Sequence, residues 1–231
     1  MEAHMSDLSN TLQQEVDRAV RRLRGHTQAS RVLSGTSSAR ILASYYATAH
    51  ETVRHAPEFL RRSCATLRRE GGHPDLIELL HCKATEETGH ERWLADDLEA
   101  IGCALGSTPW LRPNPAGTVY NAFHYSVVDV CGEAFLGTAY ALESLSVHCA
   151  GLAADNLRAH AIVAGIARGS NAGLSFFSSH YEADIDHVAQ LRDLIERCVI
   201  EPRARDYIRL CAAFTASIYP DFFTTREANE S

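Results

Sequence analysis

The sequence predicts an all-α protein, a single domain of about seven helices. Apolar residues recur every three or four positions along most of the chain, no stretch shows sustained alternation with a period of two, and Gly and Pro residues separate the periodic segments. With 231 residues, 45% of them hydrophobic, the chain is long enough to bury one core without disulfides. We therefore expect one helical domain over residues 1–231, with residues 1–5 as an appended or disordered tail.

The first half of the chain contains four predicted helices. They cover residues 6–24, 39–55, 58–69 and 74–101. The first is amphipathic, because Leu8, Leu12 and Val16 recur on one face. Pro57 stops the second helix, and Pro74 begins the fourth at a position where the first helical turn tolerates proline.

The second half is also predicted to be helical, after a loop over residues 106–117 that contains three prolines. The segment 118–154 is rich in small, apolar and aromatic residues, which is typical of a helix buried on most sides. Further helices are predicted over 157–168, over 172–198, and from Pro202 to a bend or end at Pro220.

Charge and cysteine usage limit the classes of function. A net charge of −7 argues against a nucleic-acid-binding surface. No apolar run approaches the roughly 20 residues of a membrane helix. The seven cysteines are scattered singly without a CxxC pair, and nothing at the N-terminus resembles a signal peptide. These features predict a reduced, soluble, cytoplasmic protein that binds neither nucleic acid nor membranes.

Two constellations are typical of metal binding. One is Glu87-x2-His90 in the fourth predicted helix, and the other is His180-x3-Asp184-x2-His187 in a later helix. Positions three, four and seven apart share one helix face, so the members of each set project together. Helical bundles build di-iron centres from inward-pointing carboxylates and imidazoles on facing helices, and such mixed ligation leaves positions open for dioxygen.

Two further carboxylates complete a dinuclear ligand set. Glu143 lies in the most apolar helix, where an unpaired carboxylate is costly and a metal would compensate. Glu51 lies in the second predicted helix, and Glu58, two turns further on, is its alternative. The ordinary interpretations are an exposed pair at Glu87 and His90, an ion pair between Glu143 and an arginine, and a solvated Glu51.

The order and spacing of these residues resemble the haem-oxygenase-like di-iron oxidases and oxygenases, over about residues 45–190. The resemblance implies the fold shared by haem oxygenase and the thiaminase-like proteins, with two irons per chain and dioxygen as co-substrate. It also implies a small-molecule substrate and an external electron donor, and it leaves a homodimer open. The ligands that it implies are Glu51, Glu87, His90, Glu143, His180, Asp184 and His187.

One position departs from the family pattern. Some relatives have a ligand Glu seven residues before the first His, where this chain has Lys83, its only lysine. We therefore expect unequal sites, one iron held tightly by His90 and His180 and a second held loosely by Asp184 and His187. Lys83 is also a candidate anchor for a substrate carboxylate or a residue that tunes the metals. Its ordinary interpretation is an ion pair with the glutamate one helical turn further on.

The resemblance implies oxidation of a small metabolite, with N-oxygenation of an amine or amino-acid-like compound as the favoured reaction. Oxidative decarboxylation or C–C cleavage of a fatty or amino acid is the alternative, since the helix around Glu143 could line a long apolar pocket. Tyr46 and Tyr140 neighbour the motifs and are candidates to flank the centre, although core packing explains them equally. Two rivals remain: a metal-free thiaminase-like hydrolase with Cys131 or Cys211 as nucleophile, and a non-catalytic binding protein.

Overall fold

The computed structural model describes residues 7–104, 113–160 and 173–225, and within these ranges the chain is helical with no strand. The all-α prediction is confirmed. The predicted number of about seven helices is close to the observed number when the pieces of a divided helix are counted together. The elements are α1 (Asp7–Gly25), α2 (Thr27–Leu33), α3 (Ala39–Val53), α4 (Ala56–Glu70), α5 (Pro74–Glu86), α6 (Glu91–Ala104), α7 (Pro115–Val128), α8 (Ala134–Leu145), a π-helical turn (Ser146–Ala150), α9 (Gly151–His160), α10 (Ser175–Cys198), α11 (Pro202–Ile218) and a 3-10 turn (Tyr219–Phe223).

Polar side chains cap several helix starts. The Ser38 hydroxyl accepts the Ile41 N–H at 3.3 Å and begins α3, as N-cap residues commonly do. His26 Nδ1 accepts the Ala29 N–H at 3.2 Å and begins α2. α2 was not predicted, because this short segment lies in a polar stretch and its cap is an unusual residue.

The predicted helix over 74–101 is two helices, and the candidate ligands Glu87 and His90 lie in the turn between them. α5 ends at Glu86 and α6 begins at Glu91. Gly89 has a φ of +102°, which lies outside the helical region, and its N–H donates to Glu91 Oε2 at 3.1 Å. The prediction of one continuous helix was wrong here, because a single glycine inside a helical pattern is often tolerated.

The predicted helix over 118–154 is also divided. α7 ends at Val128, and α8 begins at Ala134 after a turn that contains Gly132. A Cβ at Gly132 would lie 2.7 Å from the Ser63 carbonyl oxygen, so the absence of a side chain lets this turn approach α4.

Some predicted segments fall partly or wholly outside the described residues. The helix predicted over 157–168 is described only to His160, as the end of α9. The loop predicted over 106–117 is described from residue 113, and its last three residues already belong to α7. The tail predicted at residues 1–5 lies outside the described ranges.

α8 lies at the centre of the bundle. Nearly all of its residues are buried, and it packs against α1, α10 and α11. It crosses α11 so closely that a Cβ at Gly137 would lie 2.0 Å from the Ile208 carbonyl oxygen. This packing holds Glu143, near the end of α8, in the interior. None of the described helices combines the length and apolar character needed to span a membrane.

α3 and α6 together fix the start of α10. The buried Asp97 carboxylate of α6 accepts the N–H groups of Ser175 at 3.0 Å and Phe176 at 2.9 Å, and also the Ser175 hydroxyl. A carboxylate at a helix N-terminus satisfies free N–H groups and interacts favourably with the helix dipole. The Tyr46 hydroxyl of α3 donates to the Gly173 carbonyl oxygen at 2.7 Å, just before α10 begins.

Candidate metal centre

Two groups of potential metal ligands lie within the bundle, one partly buried and the other largely buried. Within each group, one ligand atom from each of three residues lies within 4.8 Å of the other two. The first group is Glu87, His90 and His180, and the second group is Glu143, Asp184 and His187. Six of the seven predicted ligands are therefore brought together, three and three.

The first group joins the turn between α5 and α6 to α10. Glu87 Oε2 lies 3.1 Å from His90 Nδ1, and the His90 and His180 rings are nearly perpendicular with centroids 5.3 Å apart. His180 Nδ1 lies 3.0 Å from the Phe176 carbonyl oxygen, which can only accept a hydrogen bond. This contact fixes the tautomer and leaves Nε2 available for a metal. Trp93 stacks on His90, with ring centroids 4.2 Å apart.

The second group joins α8 to α10. His187 Nδ1 lies 3.5 Å from Asp184 Oδ1, and its Nε2 lies 3.1 Å from Glu86 Oε1. Glu143 is 8% exposed, which confirms its predicted burial. Its Oε2 has no hydrogen-bond partner among the described residues. A buried carboxylate oxygen without a partner is an unfavourable arrangement that a bound metal ion would relieve.

Lys83 pairs with Glu143 and not with the glutamate one turn further along its helix. Its Nζ donates to Glu143 Oε1 at 2.7 Å, and both side chains are buried. Burial raises the pKa of Glu143 to about 8, although the Lys83 ammonium opposes this effect. Burial also disfavours the ammonium form, but the neighbouring Glu143 outweighs it and raises the pKa of Lys83.

The electrostatics of two residues of the first group suit metal binding. Burial disfavours the Glu87 carboxylate, but its hydrogen bond with His90 and the nearby charges outweigh burial and lower its pKa. Burial lowers the pKa of His180, which keeps the imidazole neutral. An ionised carboxylate and a neutral imidazole are the protonation states that bind metals. At the third residue, His90, burial opposes the imidazolium, but the hydrogen bond with Glu87 and the nearby carboxylates outweigh burial and raise the pKa, so a metal must displace a proton there.

A cavity of about 150 Å³ lies beside both groups. A cavity of about this volume holds a molecule the size of benzene. Its walls are mostly apolar, from side chains of α1, α2, α3, α8 and the C-terminal 3-10 turn. The acidic, basic and imidazole side chains that line it are Lys83, Glu87, Glu143, His180 and Asp184.

The structure does not bring Glu51 to either group. Its carboxylate lies 2.7 Å from Arg54 Nη2 and 3.6 Å from His55 Nε2, and it does not line the cavity. The alternative, Glu58, forms a half-exposed ion pair with Arg62 at 3.1 Å. Both carboxylates form ion pairs away from the two ligand groups, because other residues of α3 and α4 line the cavity.

The two predicted tyrosines are buried but do not line the cavity. Tyr46 bonds to the backbone before α10, and the Tyr140 hydroxyl lies 3.3 Å from Gln13 Oε1 on α1. The cavity is lined instead by Tyr45 and Tyr219, whose hydroxyl oxygens are 2.7 Å apart. The Tyr45-Tyr46 dipeptide signalled an aromatic helix face, but only the packing of α3 decides which ring meets the cavity.

Sequence reasoning missed Trp93 and Asp97. Trp93 follows His90 by three residues, a spacing that brings side chains together on a helix and was an available signal. Asp97 acts on Ser175, 78 positions away, so no local pattern pointed to it.

Comparison with known protein families finds one that matches most of the chain. The sequence profile described as iron-containing redox enzyme matches residues 45–219, which is more than half of the chain. The chain belongs to this iron-containing redox enzyme family. The predicted resemblance to haem-oxygenase-like iron proteins is thereby confirmed. No curated protein sequence matches the chain significantly.

Solved structures share the fold of this family member at low sequence identity. A domain of unknown function with a haem-oxygenase-like fold from Shewanella denitrificans OS217 has a TM-score of 0.78 and 16% identity, covering 94% of this chain and 90% of that one. A TenA homologue from Pseudomonas syringae pv. tomato DC3000 has a TM-score of 0.76 and 14% identity, covering 95% and 92%. A TenA homologue from P. horikoshii OT3 has a TM-score of 0.62 and 15% identity, covering 94% and 96%. These likenesses confirm the haem-oxygenase-like fold.

Proposed function

We propose that this chain is a non-haem di-iron oxidase or oxygenase, with one iron held by the first group and one by the second. The observation that carries the proposal is the placement of two three-ligand groups beside one cavity, with His180 and Asp184 on successive turns of α10. Three imidazole and carboxylate ligands per metal leave coordination positions open. Bound iron supplies the electrons that activate dioxygen, and an external donor restores them.

The residues around the groups orient the ligands and exclude water. The hydrogen bond between His180 and Phe176 fixes the His180 ring, and the Phe176 ring packs against it with centroids 4.3 Å apart. Trp93 covers the face of His90. Contacts of this kind hold metal ligands in place and lower the local dielectric.

The cavity supports a small substrate. Its volume is close to that of a benzene-sized site, and its walls are mostly apolar. Oxidation of a compact amine or amino-acid-like metabolite is therefore favoured, with N-oxygenation as the leading reaction. C–C cleavage or decarboxylation of an amino acid fits the same space. A long fatty acid exceeds it.

The two irons are expected to be held unequally. A metal in the second group must share Glu143 with the buried Lys83 ammonium, whereas the first group makes no direct contact with a lysine or arginine among the described residues. Like charges repel most strongly where water is excluded. We therefore propose a tight first iron and a loose second iron.

Anaerobic reconstitution with Fe(II), followed by Mössbauer spectroscopy and dioxygen consumption with candidate substrates, tests the proposal. His180→Ala should remove the iron of the first group and His187→Ala that of the second, with unchanged circular dichroism. Glu58→Gln, a surface carboxylate variant, should retain both. Full iron content in both histidine variants would overturn the proposal.

A metal-free hydrolase is the second candidate, because two of the similar structures are TenA homologues and Cys131 Sγ lies 3.4 Å from Glu133 Oε2. Burial raises the pKa of Cys131, and likewise that of Cys211, to about 12, which disfavours the nucleophilic thiolate. Neither thiol lines the cavity. Hydrolysis of thiamine by iron-free protein, abolished by Cys131→Ser, would favour this function over the first.

A further inference from the structure

The Lys83 ammonium has unused hydrogen-bonding capacity inside the cavity. It is 5% exposed, and Glu143 Oε1 is its one hydrogen-bond acceptor among the described residues. An ammonium group has three N–H donors, so two remain for a ligand. Lys83 is also the only lysine or arginine in the described lining of the cavity.

Metal loading reverses the charge that faces the cavity. The carboxylates of Glu87, Glu143 and Asp184 carry −3 and Lys83 carries +1, which leaves −2 in their ionised state. Two divalent cations add +4, so the loaded site carries +2. A metal bound at Glu143 Oε2 draws charge from the carboxylate whose Oε1 pairs with Lys83. A buried ammonium with a weakened partner is unfavourable unless a second anion joins it.

We infer that Lys83 binds the carboxylate of a small organic acid in the metal-loaded protein, and that this acid has a ring-sized apolar body. The inference rests on the proposed function and narrows its substrate class, from amines and amino-acid-like compounds to those that carry a carboxylate. The net positive charge of the loaded site favours an anion. The free N–H donors of Lys83 can bond to the carboxylate of that anion, and the apolar cavity walls can contact its apolar body. The cavity volume limits that body to about the size of benzene.

A single-site NMR experiment tests this inference on the unmodified protein. Because Lys83 is the only lysine, protein labelled with 13Cε-lysine gives one side-chain signal, from this residue. Adding Zn²⁺, a diamagnetic probe, should shift the signal as the metal binds Glu143 Oε2 and draws charge from the carboxylate that pairs with Lys83. Benzoate should then shift it again, whereas benzyl alcohol and benzylamine should not. Benzoate should bind the metal-free protein at least about tenfold more weakly.

Lys83→Met separates recognition by the ammonium from simple coordination of the carboxylate to zinc. The variant should lose about tenfold or more in benzoate affinity by calorimetry, while Glu58→Gln should lose none. Unchanged benzoate affinity in Lys83→Met, or a Lys83 signal that does not respond to benzoate, would overturn the inference alone. Failure of both Zn²⁺ and Fe(II) to bind would instead overturn the proposed function on which it rests.

Discussion

Asp97→Ala is expected to destabilise the start of α10 and to weaken metal binding by the first group. The Asp97 carboxylate is 1% exposed and accepts the N–H groups of Ser175 and Phe176 and the Ser175 hydroxyl. Removing an N-cap costs about 1 kcal/mol, and a buried donor left without a partner adds about 1–3 kcal/mol. Water would reach part of the opened site, so we expect a loss of about 3 kcal/mol in the free energy of unfolding.

Two matched variants separate the contributions. Asp97→Asn keeps one acceptor oxygen but removes the negative charge at the helix N-terminus, so it should lose only about 1 kcal/mol. Asp96→Ala removes a neighbouring exposed carboxylate on the same helix and should leave stability nearly unchanged.

Urea unfolding of the metal-free protein measures the stability change, and Fe(II) titration measures the effect on the first group. His180 lies five residues after Ser175, so fraying of this end should weaken iron binding severalfold. Equal stability of Asp97→Ala and Asp96→Ala would refute the capping argument. A destabilised Asp97→Ala with unchanged iron affinity would show that the cap does not position His180.

The remaining predictions concern pH and the ligand set. Burial lowers the pKa of His124 to about 4, below its ordinary value near 6.5. The contribution of neutral His124 to the free energy of unfolding is therefore complete above about pH 6.5. It is lost as the pH falls toward 4, and the loss reaches about 3 kcal/mol. Unfolding against pH should show this slope in the unmodified protein and not in His124→Gln. Glu51→Gln should retain the iron content of the unmodified protein in the same titration, and a loss would restore Glu51 as a ligand. Lys83→Glu should raise the iron content of the resting protein toward two per chain. A titration of the unmodified protein that shows two equally tight sites, with both irons seen in Mössbauer spectra, would contradict this.

The fold class followed from helical periodicity, and proline positions located several helix starts. Pro74 and Pro202 each lie in the first turn of the helix they were expected to begin. The breaks at Gly89 and Gly132 were not predictable from the sequence, since an isolated glycine inside an apolar pattern is compatible with a continuous helix. The break at Gly132 depends on close contact with the distant helix α4, whereas the break at Gly89 is accompanied by a local hydrogen bond to Glu91.

Whether the sequence could group the candidate ligands depended on how well each helix defines its own face. α10 carries polar residues on its outer face, so the spacing of His180, Asp184 and His187 was enough to group them. α3 is buried on nearly every side, so its apolar pattern does not show which face meets the cavity. Glu51 and Tyr46 were both placed wrongly relative to the cavity for this one reason.

The pairing of Lys83 with Glu143 could not be read from the sequence, because it spans 60 positions and depends on the distance between α5 and α8. Burial of Glu143 among apolar residues did require a partner, and an ion pair and a metal were treated as alternatives. The geometry shows an ion pair, with a lysine and not the expected arginine, and it leaves room for a metal as well. One carboxylate oxygen accepts the ammonium while the other is buried without a partner among the described residues, so the same side chain has an oxygen for each role. Under the proposed function, an ammonium in place of an additional carboxylate leaves Glu143 one oxygen with which to bind a metal. We therefore expect the second group, which has fewer free ligand atoms, to bind its metal more weakly.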